Sequence, residues 1–170
     1  MTTGNDGRKR VVITGMGAVT PLGEDIDEYW GNLVHGRSGI GPMTLIDPEG
    51  YPCRIAGEVS GFDPNKYINP KEARRMARFS QLAVAAAALA IEDSRLDLSA
   101  EAPENLGVVT GNGVGGFPTT EDNARILVEK GGMRMSPFFI PMILPNMAAA
   151  NVSRTYGLKG YTSTVITACA

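Results

Sequence analysis

The spacing of apolar positions changes several times along the chain, and each change marks an element. Val11, Val12 and Ile13 form an unbroken β-branched run ending at Thr14-Gly15-Met16-Gly17, the pattern of a buried strand entering a turn. From Ile26 the period lengthens. Ile26, Tyr29, Trp30, Leu33 and Val34 fall at i, i+3, i+4, i+7 and i+8, which is one face of a helix. Asp25 supplies its N-cap, Glu28 stands at the capping-box position three residues on, and Gly36 stops it. Weak alternation over 54–59 predicts a short edge strand, closed by Phe62-Asp63-Pro64.

Asn69-Pro70 places a cap and an N1 proline ahead of a stretch that holds no glycine or further proline to about Ser94. A long helix, broken at most once, is expected there. Its second half, 82–91, is apolar all round, which a surface helix does not tolerate, so it belongs between two layers. The first half carries Lys71, Arg74, Arg75 and Arg78, with Lys71 facing Arg74 or Arg75 at i, i+3 and i+4. Spacing alone makes that charge run a solvated face.

Residues 106–109 read as a buried strand, followed by a helix over 118–130 that Gly131-Gly132 ends. Pro137, Pro141 and Pro145 punctuate the apolar stretch 138–144 and exclude a continuous helix or central strand, leaving extended or turn structure. Asn146 caps a helix over 147–156, Gly157 stops it, and 162–166 is a last strand leading to Thr167-Ala168-Cys169-Ala170. Strands alternating with helices predict an α/β fold with a mostly parallel sheet covered on both faces.

Composition narrows the function. A chain of 170 residues with 43% hydrophobic and 20% charged side chains is one globular domain, and it is neither disordered nor collagen-like. A formal charge of −2 provides no global field for nucleic acid or an anionic membrane, so an anionic partner must be met by a local patch. The longest apolar run, 82–91, is shorter than the ~20 residues of a membrane span, and no signal-peptide pattern opens the chain; export is not expected. Two cysteines make no disulfide framework, which favours a reducing, cytoplasmic setting. The 21 glycines and 11 prolines imply many tight connections, with no linker beyond the polar head 1–8.

Three features carry candidate chemistry. Gly111-Asn112-Gly113-Val114-Gly115-Gly116 matches Gly-x-Gly-x-x-Gly after a strand, but the second strand and distal acid of a dinucleotide unit do not follow. A tight turn where backbone approaches a ligand or partner is the alternative. The lone histidine, His35, ends a helix and reads as structural or surface, with no second histidine to build a metal site. Cys53 lacks an activating setting. Cys169 sits at a strand end where a helix would begin, so unpaired backbone N–H groups could stabilise its thiolate; the alternative is small apolar filler.

These residues together resemble a known family. Arg10-Val11-Val12-Ile13-Thr14-Gly15-Met16-Gly17, Thr20-Pro21-Leu22-Gly23 and Gly36-Arg37-Ser38-Gly39-Ile40 are similar to the start of a β-ketoacyl-acyl-carrier-protein synthase. The glycine turn, Ser136-Pro137-Phe138-Phe139-Ile140-Pro141, Asn146-Met147, Tyr156-Gly157-Leu158-Lys159-Gly160 and Thr167-Ala168-Cys169 resemble its elongating type II branch in order and spacing. The resemblance implies residues 1–170 as the N-terminal half of a thiolase-like fold, layered helix, sheet, helix, sheet, helix when complete, and a homodimer. It makes Cys169 the acyl-accepting nucleophile. Two histidines, a lysine and a glycine-rich loop of the family lie beyond that cysteine, so this chain alone is expected to be inactive. Val114, Phe138 and Phe139 map to the region lining or gating the acyl channel, with packing at a dimer interface as their other role. Lys71, Arg74, Arg75 and Arg134 map to the docking surface for acidic acyl carrier protein, whose phosphopantetheine arm brings the substrates; no metal or other cofactor is implied. Asn112 and Val114 stand where the branch often has Ser or Thr and Ile. A polyketide ketosynthase, or a noncatalytic partner that shapes chain length, is the alternative activity.

Overall fold

The computed structural model describes residues 9–168. Helix α1 (Ile26–Val34) forms where the apolar period places it. Asp25 Oδ1 accepts the Glu28 N–H at 2.7 Å, and the Glu28 carboxylate reaches back to the Glu24 N–H at 3.0 Å, a capping box displaced by one residue. Gly36 ends the helix at φ +65°. A hairpin follows, strand β1 (Ile40–Pro42) pairing antiparallel with β2 (Ile55–Gly57), Gly41 opposite Ala56. The 54–59 alternation located β2. β1 has only three residues, one of them proline, and leaves no periodic trace.

The long helical stretch divides into α2 (Pro70–Ala73) and α3 (Arg78–Ser94). Asn69 Oδ1 accepts the Lys71 N–H at 2.9 Å, as its cap position demands. At the break, Gln81 Nε2 donates to the carbonyls of Ala73 (2.9 Å) and Met76 (3.3 Å), supplying partners near the interruption. α3 packs on one side against the core and is met on another by the 15–17 segment, with Val84 and Ala85 the buried residues of its apolar half. On one side Val84, fully buried, joins Ile68, Ala73, Met76 and Val152 in the core. On the other, Gly15 and Gly17 press against the helix at Ala86, Ala90 and Ser94, a stripe of small residues one turn apart. The Met16 N–H donates to Asp93 Oδ2 at 2.8 Å and pins that segment.

Strand β3 (Val108–Gly111) leads through a glycine turn to α4 (Phe117–Lys130), then α5 (Phe139–Ile143), α6 (Met147–Tyr156) and β4 (Thr162–Val165). β3 and β4 pair in parallel, Val108 opposite Thr162 and Gly111 opposite Val165. The Thr110 and Thr164 hydroxyls meet across the strands at 2.8 Å. α6 covers one face of the pair and brings Val152 and Tyr156 into the cluster that Val108 joins. The expectation of a sheet covered on both faces is corrected here, because Val109 and Val165 are 66% and 54% exposed on the far side.

Three further expectations need correction. Val11, Val12 and Ile13 form no sheet strand among the described residues and are exposed. A β-branched run is buried only where sheet neighbours and helices flank it, and here the segment meets α3 through the following Gly15, Met16 and Gly17. The 138–144 stretch contains a one-turn helix, α5. Pro141 is its third residue, in the first turn, where an N–H has no acceptor within the helix. Asn146 precedes α6 as placed, but it is itself helical (φ −74°, ψ −8°) and its side chain makes no cap hydrogen bond.

Glu58, just after β2, accepts from the Thr44 hydroxyl (2.6 Å) and from the Thr44 and Leu45 N–H groups, which hold its carboxyl below the usual range. The anchored turn carries Leu45 and Ile46 to the rim of an open, mainly apolar cleft of about 510 Å³ with Phe79, Leu82 and Pro118.

Candidate active site

The glycine turn is built against the chain itself. Asn112 is the centre of it. Its N–H donates to Val165 O at 3.0 Å, continuing the ladder beyond β3, while Nδ2 donates to Pro145 O at 2.9 Å and Oδ1 accepts the Gly115 N–H at 3.2 Å. Gly115 adopts φ +92°, and a Cβ there would lie 2.5 Å from Ile143 O. The Gly116 N–H donates to that same carbonyl at 3.1 Å. The glycines thus serve close approach to α5, and two helices follow where a dinucleotide unit would continue with a strand. β4 ends beside this turn and the start of α6, at the carboxyl ends of parallel strands where open α/β sheets place ligands.

Cys169 lies outside the described residues. The described backbone reaches Ala168, three residues past β4, where φ is +50°. A left-handed alanine costs ~1–3 kcal/mol, and such strain collects at functional sites. The other cysteine, Cys53, is exposed, its Sγ 3.6 Å from Ile55 O. His35 caps α1, with Nδ1 2.6 Å from Gly31 O. Among the described residues no group of three or more His, Cys, Asp or Glu side chains could hold a metal ion.

Val114 stands 65% exposed on the glycine turn, and Phe138 and Phe139 begin α5, so the Gly116–Ile143 hydrogen bond joins the two segments that carry them. The basic residues divide. Lys71 and Arg74 are exposed and make no side-chain ion pair among the described residues, and Arg134 is exposed in the turn after α4. Arg78 points inward; its guanidinium donates to Val59 O and lies 5.2 Å above the Phe62 ring. Arg75 is shared between Glu72 (3.5 Å) and the face of Phe138, with Cζ 4.7 Å from the ring centroid. Arg154 of α6 holds the other Glu72 oxygen at 2.8 Å. Glu72 was missed, although its spacing from Arg75 signals a pair; Asn112, bridging 33 residues to Pro145, leaves no local signal.

Helices on a parallel pair whose strand ends meet a glycine turn form the N-terminal half of a thiolase-like fold, and solved ketosynthases share it. The ishigamide ketosynthase/chain length factor superposes with a TM-score of 0.83 at 31% identity, over 94% of this chain and 40% of that one. A type II polyketide synthase acyl-carrier protein in complex with its ketosynthase, bound to the hexaketide, gives 0.71 at 28% identity, over 89% and 40%. The family model for the β-ketoacyl synthase N-terminal domain matches residues 8–170. The chain belongs to the β-ketoacyl synthase family. The 3-oxoacyl-acyl-carrier-protein synthase 2 of Synechocystis is 44% identical over 163 residues, which are 96% of this chain and 39% of that protein. The chain therefore spans about two fifths of the length of such curated relatives.

Proposed function

We propose that this chain is the nucleophile-bearing part of an elongating 3-oxoacyl-acyl-carrier-protein synthase, an acyltransferase of fatty acid synthesis. The observation that carries the reading is the 44% identity to a synthase 2 across 96% of the chain, which contains Thr167-Ala168-Cys169. The Cys169 thiolate attacks the acyl thioester carbonyl, the carbon–sulfur bond to the carrier breaks, and the phosphopantetheine leaves as a thiolate that takes up the proton Cys169 released on ionising. Malonyl carrier protein then loses carbon dioxide. Its carbanion attacks the acyl-cysteine carbonyl, the thiolate leaves, and the product is a 3-oxoacyl chain two carbons longer. Backbone N–H groups at the strand end could hold the oxyanion of both tetrahedral states. The protein works as a cytoplasmic homodimer and needs no cofactor of its own, since both substrates arrive tethered. The polyketide reading draws on the solved neighbours, at lower identity; the noncatalytic chain-length subunit is disfavoured by the presence of Cys169.

The test supplies the complete synthase polypeptide containing this segment with acyl and malonyl carrier proteins. One carbon dioxide should appear per 3-oxoacyl product lengthened by two carbons. Absence of that product, or decarboxylation without condensation, refutes the reading.

Two expected results refine it. Lys71 and Arg74 leave their charge facing solvent, so an acidic carrier meeting α2 gains association rate from a field screened over ~8 Å at physiological salt. Lys71→Glu with Arg74→Glu should raise KM for the carrier-borne donor about tenfold more than KM for acyl coenzyme A, and high salt should narrow that gap. Equal effects on both donors would remove docking from α2. Val114→Phe, on a turn that Gly115 and Gly116 hold against α5, should shorten the longest acyl chain accepted. An unchanged product profile in a folded variant would place Val114 away from the channel.

A further inference from the structure

The contact between Arg75 and Phe138 joins two features assigned separate roles above. Arg75 lies just past the short helix α2, and Phe138 is the residue from which α5 starts. The guanidinium carbon stands 4.7 Å from the ring centroid, within the range of a cation–π contact. Its ionic partner is divided: Glu72 is 3.5 Å from Arg75 but 2.8 Å from Arg154, so the acid belongs chiefly to α6 and leaves much of the Arg75 charge uncompensated. The Arg75 side chain is half exposed and Phe138 is 41% exposed, so solvent or a partner reaches both. The Phe138 backbone is held by its N–H to Ser136 Oγ at 3.2 Å and its carbonyl to the Met142 N–H at 3.0 Å. The other end of α5 is tied through Gly116 and Asn112 to the β4 edge that leads toward Cys169.

We propose that Arg75 is a positioning residue that sets the Phe138 ring, and that an acidic carrier protein engaging Arg75 shifts that ring, linking docking at α2 to acyl-chain selection. The inference rests on the synthase reading and adds to it a coupling within one site. A carboxylate or phosphate that draws the guanidinium outward weakens the stacking, and by linkage whatever moves the ring alters affinity for the anion by the same factor. An exposed cation–π contact biases such an equilibrium about two- to fivefold. Lysine keeps the charge but loses the planar face that stacks on the ring, which separates positioning from simple attraction.

The experiment uses acyl coenzyme A donors, which bypass carrier docking, with the complete polypeptide. Arg75→Lys should change the ratio of kcat/KM for long against short acyl donors about two- to fivefold. Phe138→Leu should change it too, and adding Arg75→Lys to Phe138→Leu should produce no further change. A parental profile in Arg75→Lys, or effects that multiply in the double variant, overturns the proposal. A fluorine label on the Phe138 ring gives a readout independent of turnover. Arg75→Lys should move its resonance in the free protein, and carrier protein should move it in the parent; a resonance indifferent to both also overturns the proposal. Failure of the parent to extend any acyl thioester would instead count against the synthase reading, while the fluorine measurement still judges the coupling.

Discussion

Cys169→Ser should lower condensation by about a thousandfold or more in the complete polypeptide, while carrier binding persists. The effect is chemical. A hydroxyl ionises far above physiological pH and is a poorer leaving group than a thiolate, so both the transfer into the acyl-enzyme and the transfer out of it slow. The fold prepares the position, with β4 paired in register to β3, Asn112 bound to Val165 O, and Ala168 in the left-handed region immediately before the cysteine. Mass mapping after incubation with an acyl thioester should place one adduct on the Cys169 peptide. Cys53→Ser should retain condensation, because Cys53 is exposed beside the β2 hairpin strand and has only a carbonyl contact. An adduct on Cys53, or turnover surviving in Cys169→Ser, would remove the nucleophile from position 169.

Elements whose signals are local were legible in the sequence. α1 lies where periodicity, its Asp25 cap and Gly36 put it, α4 and α6 end at the glycines that were read as stops, and the division of 70–94 into α2 and α3 falls within a stretch recognised as helical. Alternation of strands and helices implied a mostly parallel sheet, and β3 with β4 is parallel, whereas β1 with β2 is antiparallel; which strands pair was not legible. What local pattern cannot show is which neighbour a run will find. Val11 to Ile13 read as buried because their side chains are β-branched, but burial depends on elements far away in the chain, and the described residues do not provide them. α5 was excluded by its prolines, yet one turn of helix tolerates Pro141 near its start. At the candidate site, the glycine turn and the strand end were recognised. The link between α2 and Phe138 depends on side chains 63 positions apart and became visible only with the contact itself.

Gly17→Ala should lower stability by about 2–3 kcal/mol, read as a lowered Tm. The argument is steric. A Cβ on Gly17 would meet the Ala86 carbonyl and lie 2.7 Å from Ala90 N and 2.8 Å from Leu89 Cβ, and two of these are helix backbone atoms that cannot turn aside. Relief requires the whole 15–17 segment to lift from α3. That would stretch the Met16 N–H bond to Asp93 and open the small-residue face formed by Ala86, Ala90 and Ser94. The loss should be structural first, appearing in thermal unfolding of the complete polypeptide at every substrate concentration. Gly41→Ala is the matched control. It lies in β1, where an added Cβ meets nothing within 4 Å, so its cost should stay below about 1 kcal/mol. If both alanines shift Tm equally, close approach of the N-terminal segment to α3 is not what Gly17 provides, and the layer on that side of the helix must be held by other contacts.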